Sequence, residues 1–215
     1  MKKSVYSIVL ADDVVAAVDD MAYSLGVSRS NLINQILAER VSMMTPEMRM
    51  RDIFTRIEQL MSGGVLTVSQ SGGSMMMLKS PLKYKYRPTV NYSVELSRSF
   101  EGSVGRLKIS LRTQSRSLIA HITGFFKMWI GIESRYMSRI ITGGSPWSGS
   151  EASFTREFFS PNAGALSDEQ LAEAIGGYVN LLDQCLRLYF ESEGRADALI
   201  EEKYKAYLAK GVVIL

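Results

Sequence analysis

The stretch that decides the fold is SVYSIVL-ADDVVAAVDDMAYSL-GVSRS-NLINQILAERV, residues 4–41. Its first part, Ser4 to Leu10, puts Tyr6, Ile8 and Leu10 on one side and Val5, Ser7 and Val9 on the other. That is the period-two pattern of a strand with two unlike faces. From Asp12 to Leu25 the period changes. Val14, Val18, Met21, Ala22 and Leu25 recur at three- and four-residue steps and make one apolar helical stripe. Asp12 and Asp13 fall in the first turn, where negative charge complements the helix dipole. Gly26 stands where a helix end needs a left-handed residue. Ser28 and Ser30 are candidate N-caps. Leu32, Ile33, Ile36 and Leu37 give a second helix, about Asn31 to Val41, an apolar face of its own. A unit of this size cannot bury a core alone, and its strand has no partner within the unit.

In this order the elements resemble the ribbon-helix-helix family of DNA-binding proteins, the MetJ/Arc/CopG type. The resemblance covers about 40 of the 215 residues. It implies two intertwined chains whose paired strands form a ribbon in the DNA major groove. On that resemblance the base-reading residues fall at Val5, Ser7 and Val9. The family usually carries polar or basic residues there. Valine cannot hydrogen-bond a base edge, although it packs against a thymine methyl. The phosphate grip falls on Ser28, Arg29 and Ser30, which offer hydroxyls, a guanidinium and helix N-terminal amides to an anion. Lys2 and Lys3 stand beside the ribbon, within reach of the same backbone. The implied partners are double-stranded DNA and a second copy, in a homodimer or a higher even-numbered oligomer. Two other readings stay open: the same module used only to dimerise, and a small cap on an unrelated domain.

The chain is 46% apolar and 22% charged, the balance of a soluble globular protein. No apolar run approaches the roughly 20 residues of a membrane helix. The two N-terminal lysines are not followed by an apolar signal core, so the expectation is a cytoplasmic protein with no membrane partner. A single cysteine, Cys185, excludes an internal disulfide and sits in an apolar helical pattern. The net charge of +3 is uneven. Residues 1–41 hold 4 basic and 5 acidic side chains, residues 42–136 hold 14 and 6, and residues 137–215 hold 7 and 11. The DNA-binding candidate is therefore not itself basic, and the middle of the chain is.

The sequence divides into a module at 1–44, a connector helix at 45–62 and a C-terminal α+β domain at 63–215 that senses an effector or assembles the oligomer. Thr45-Pro46-Glu47 opens the connector with a cap and a proline at the first helical position. A short strand-like run follows at Val65 to Val68, then a turn at Ser71 to Ser74. Tyr84 and Tyr86 alternate with Lys83, Lys85 and Arg87. Val90 to Ser97 and Arg106 to Arg112 also alternate, which predicts an antiparallel sheet with one wet face. Residues 114–142 turn helical, Gly143 to Gly149 is a loop, and Ser167-Asp168-Glu169-Gln170 opens a long capped helix towards Phe190. A last helix spans about 193 to 209, and Val212 to Leu215 is a final strand or a docked terminus.

No catalytic constellation is present, so the chain does not read as an enzyme, and no cofactor is expected. The lone histidine, His121, lies on a predicted apolar helix and reads as a core or boundary residue. The histidine and cysteine counts leave no zinc-type site. Lys83, Lys85 and Arg87 share one predicted strand face, and Arg106, Lys108 and Arg112 another. Each is a solvated face or a second anionic surface, for DNA beside the ribbon, RNA or an acidic ligand. The Met-rich stretches at 43–50 and 75–77 read as packing at a dimer seam, with a ligand pocket as the other reading. The functional expectation is a transcriptional regulator, a dimeric repressor that acts by occupying a promoter, with a small-molecule or protein effector at the C-terminal domain. The alternatives are an antitoxin or plasmid-maintenance protein, and a scaffold that uses the module only to dimerise.

Overall fold

Period-two alternation in the middle of the chain becomes one six-stranded antiparallel sheet. A computed structural model describes residues 4–100, 102–137, 145–160, 163–193 and 195–211. The elements in chain order are α1 (Asp12–Leu25), α2 (Arg29–Arg40), α3 (Pro46–Met61), β1 (Thr67–Gly72), β2 (Met75–Pro81), β3 (Thr89–Leu96), β4 (Gly102–Leu111), α4 (Arg116–Met137), β5 (Trp147–Ser150), β6 (Ser153–Ser160), α5 (Asp168–Glu191) and α6 (Asp197–Ala209). The strand order is β1-β2-β3-β4-β6-β5. The fold class is α+β.

One face of the sheet is apolar. Met76, Leu78, Val90, Tyr92, Val94, Leu107, Ile109, Phe154 and Phe158 are buried against a helical layer. Neighbours on the opposite face, such as Asn91, Ser93, Lys108 and Thr155, are half-buried or exposed. This is the expected wet face. α5 is the central helix of the layer, with buried residues along its whole length from Leu171 to Phe190. Its start is a complete capping box between Ser167 and Gln170.

The helix expected as a connector is part of this core. Met50, Ile53, Phe54, Ile57 and Met61 of α3 are buried in the main cluster, because its apolar stripe has α5 and the sheet to pack on. Thr45 accepts from the Met48 amide at 3.1 Å, as its position implied.

Two corrections concern the sheet. Residues Lys83 to Arg87 are not a strand but the turn between β2 and β3, with Tyr86 and Arg87 at φ of 65° and 44°. Lys83, Lys85 and Arg87 therefore share no strand face. The loop expected at Gly143 to Gly149 is partly strand, since Trp147–Ser150 pairs with β6. The inner residues of β6 alternate Phe154, Arg156, Phe158, and a buried arginine hides that pattern from an apolar reading. Arg156 lies 3.6 Å from the buried Glu133 of α4. Its guanidinium also stands over the Phe158 and Tyr178 rings at 5.4 and 5.3 Å. The Trp147 indole donates to the same glutamate. Burial pushes the Glu133 carboxyl above the usual carboxylate range, against the opposing pull of Arg156. The cluster ties β5 and β6 to α4. The segment expected at Val212 to Leu215 lies outside the described residues.

Candidate nucleic-acid interface

The N-terminal helices form as their local signals dictate. α1 ends at Gly26, whose φ of 64° is left-handed and whose amide donates back to the Ala22 and Tyr23 carbonyls. Ser28 caps α2 by accepting from the Asn31 amide at 3.3 Å. The two helices share a buried cluster of Val18, Ala22 and Leu32, flanked by Val27 and Ile33, and α2 buries Ala38 besides. The rest of their apolar stripes is open: Val14, Met21, Leu25, Ile36 and Leu37 are exposed. Two short helices of one chain have no further surface to cover them.

Ser4 to Leu10, expected as a strand, is not in strand form in the single chain and has no β-ladder partner among the described residues. Val5 and Val9 are 98% and 100% exposed, and Tyr6 and Ile8 on the other side are exposed as well. Both faces of the segment are uncovered, and so is its hydrogen-bonding edge.

The residues expected to grip phosphate are placed unevenly. The Arg29 guanidinium donates from Nε and Nη2 to the two carboxylate oxygens of Asp19 on α1. That pairing holds the Asp19 carboxyl below its ordinary range. Arg29 reaches a phosphate only by leaving or sharing Asp19. The Ser28 hydroxyl is used as the helix cap. Ser30 is exposed on the first turn of α2. Lys2 and Lys3 lie outside the described residues.

Ser30 faces a cleft of about 480 Å³. One wall is α2, with Ser30, Asn31 and Asn34, and Ser4 and Tyr6 lie beside it. The other wall is the start of α3, with Thr45 and Glu47, and the β3–β4 turn, with Arg98 and Ser99. A second cleft of about 300 Å³ also has Arg98 on its wall and runs between α2, α3 and the β1–β2 turn at Gly72–Gly73. An ion pair from Arg51 of α3 to Glu39 of α2, at 3.3 Å, bridges the same junction. Arg98 was not a site candidate from sequence. Nothing local singles it out, since Ser-Arg-Ser occurs three times in the chain, at 28–30, 97–99 and 115–117.

Of the basic residues of the middle segment, Arg106 and Lys108 share the open face of β4, while Lys83, Lys85 and Arg87 lie apart from them in a turn. The β2–β3 turn closes the end of the sheet opposite the one that meets α2. β2 runs from Met75, next to the Gly73 turn, through seven residues to Pro81. At about 3.3 Å per residue the two ends are roughly 20 Å apart. In that far turn Lys83 pairs with Glu191 at 3.1 Å, and the Lys85 ammonium lies 5.5 Å from the centre of the Tyr86 ring. Arg106, on the open face of β4, is paired with Glu95 at 2.6 Å. Lys108 and Arg112 are exposed, with no ion pair among the described residues. Comparison with protein-family models, curated proteins and solved structures finds no match to this chain.

The remaining sequence candidates are accounted for by packing. Burial pushes the Cys185 thiol up to about 12. His121 is half-buried among Tyr84, Tyr189 and Phe190, with ring centres 6.0, 5.0 and 4.7 Å away. Among the described residues, no group of three or more histidine, cysteine or acidic side chains is placed to hold a metal, and no helix is long and apolar enough to cross a membrane. A cleft of about 590 Å³ lies between α5 and α6, with Glu173, Asn180, Gln184, Lys203 and Tyr207 on its walls.

Proposed function

We propose that the chain is a DNA-binding transcriptional regulator, a repressor that works as a dimer and whose N-terminal segments pair as a ribbon in the major groove. The observation that carries the reading is the uncovered apolar segment Ser4 to Leu10, together with the open stripes of α1 and α2. Exposed apolar surface of this kind, beside an unpaired backbone edge, marks an association site. A second copy supplies both a strand for the edge and the matching helix faces. Ser30, exposed on the first turn of α2, is then a phosphate contact that breaks no ion pair among the described residues.

The reading of the same module as a dimerisation device alone has two observations in its favour: valine at positions 5 and 9, and the engagement of Arg29 by Asp19. An antitoxin or plasmid-maintenance role is less well supported. A toxin-binding tail is typically short and unfolded when free, whereas here α3 to α6 form one core. The deciding experiment is a gel shift with the region upstream of the chain's own gene. A retarded band that survives mixed-sequence competitor supports the regulator. Binding that competitor removes completely, or no binding at low salt, supports the dimerisation device.

A further inference from the structure

We propose that Arg98, from the C-terminal domain, holds a backbone phosphate of the duplex that the N-terminal module binds. The proposal rests on the DNA reading and deepens it, because it moves part of the phosphate grip out of the module. The described part of the module is short of cations: between Ser4 and Val41 stand Arg29 and Arg40 against Asp12, Asp13, Asp19, Asp20 and Glu39. Arg29 is already committed to Asp19. With Lys2 and Lys3 counted, residues 1–41 hold 4 basic and 5 acidic side chains, so the module as a whole has no net attraction for a polyanion and further cations have to come from elsewhere in the chain.

The fold brings Arg98 to the required place. It is exposed, makes no ion pair among the described residues, and lies on the wall of the cleft that Ser30, Asn31 and Asn34 face. Hydroxyls and amides on one wall and a guanidinium on the other are the donor set for a phosphate, with arginine able to bind two oxygens at once. Glu47 is the carboxylate on that wall, and it sits in the first turn of α3, where it complements the helix dipole.

The described residues that flank Arg98 in its turn are anchored to the core. Phe100 is buried under the Arg49 guanidinium, 4.6 Å from its ring centre, and Arg49 is itself fixed to Asp168 at 2.5 Å. On the other side of the turn, Gly105 has a φ of 155°, and a Cβ there would stand 2.0 Å from the Glu95 carbonyl oxygen. β3 and β4 therefore approach each other more closely than any other residue permits.

The test is fluorescence anisotropy of the full chain on a labelled mixed-sequence duplex across a salt series. Arg98→Ala is expected to weaken binding several-fold and to reduce the slope of log affinity against log salt by about 1.8 units, the loss of one phosphate contact from each copy of the dimer. Arg98→Lys should keep the slope. Arg87→Ala, on the turn at the far end of the sheet, should change neither quantity. If the wild-type chain binds and Arg98→Ala binds with the same slope, the inference is overturned while the DNA reading stands. If Arg87→Ala lowers the slope as much as Arg98→Ala, a general charge effect replaces the specific contact and the inference also falls. If the wild-type chain does not bind duplex even at low salt, both fail together.

Discussion

The two ends of the chain solve the same problem in opposite ways. From Pro46 onward the helices and the sheet bury one continuous core, with Ile53, Ile57, Tyr92, Phe125, Trp129, Ile175 and Leu182 sealed from solvent. The module before it has equally apolar helices, yet buries only a three-residue cluster and Ala38 of α2, and leaves a segment with both faces open. Composition does not separate the two regions. What separates them is whether the covering surface lies in the same chain. The C-terminal domain is complete in one copy. In the reading proposed here the module is completed by a second copy, and that association also makes the DNA-binding surface.

Substitutions at matched apolar positions sharpen this contrast. Phe54→Ala in α3 should cost about 3–5 kcal/mol, the range for emptying a buried aromatic site, and should lower the urea midpoint at every protein concentration. Leu37→Ser in α2 removes a side chain that is exposed in the single chain. It should leave the unfolding of the main domain within about 0.5 kcal/mol while raising the concentration at which the chains associate. A large loss of main-domain stability from Leu37→Ser would erase the distinction between the regions.

Buried polar groups draw the same line. Asp183 on α5 is fully buried and accepts from the Tyr92 hydroxyl at 2.9 Å and from Arg187 at 2.8 Å. Tyr92→Phe leaves a buried carboxylate one donor short and should cost about 1.5–3 kcal/mol, measured by chemical denaturation. Ser28→Ala, which removes an exposed cap, should cost about 1 kcal/mol. Its effect should be confined to α2, seen as faster amide exchange there and unchanged exchange in α5.

The legible parts of the fold were those fixed by short-range chemistry. The Gly26 turn, the Ser28, Thr45 and Ser167 caps and the alternation of β3 and β4 are all decided within a few residues. The parts that were not legible depend on distant partners. Arg156 looks like a surface residue until Glu133 and two aromatic rings are brought around it. Tyr84 and Tyr86 look like one strand face, but the turn sends Tyr84 inward onto His121 and Phe190 and leaves Tyr86 in solvent. α3 reads as a connector because its packing partner, α5, lies more than a hundred residues later in the chain. Arg98 is an ordinary turn cation until the sheet places its turn opposite α2.

The smallest expected effect is a pH dependence seated in the C-terminal domain. Burial lowers the pKa of His121, with Glu193 pulling it weakly the other way. As pH falls below the ordinary histidine value of about 6.5, the unfolded chain takes up a proton that the folded chain still refuses. Stability therefore decreases through that window and levels once the folded imidazole is charged. The urea midpoint should drop on acidification below about pH 6.5, and His121→Phe should flatten that part of the profile. A midpoint that rises on acidification there would contradict the assignment.

The central claim is that a second copy completes the module through Ser4 to Leu10. Sedimentation equilibrium of the full chain tests it most directly, run beside Ile8→Asp. The wild-type chain should sediment at twice its 23.9 kDa mass, or at a higher even multiple. The variant should sediment at the mass of one chain and keep the cooperative unfolding of the main domain. A wild-type chain that stays at 23.9 kDa at all concentrations, or an Ile8→Asp variant that associates as well as wild type, would contradict the account.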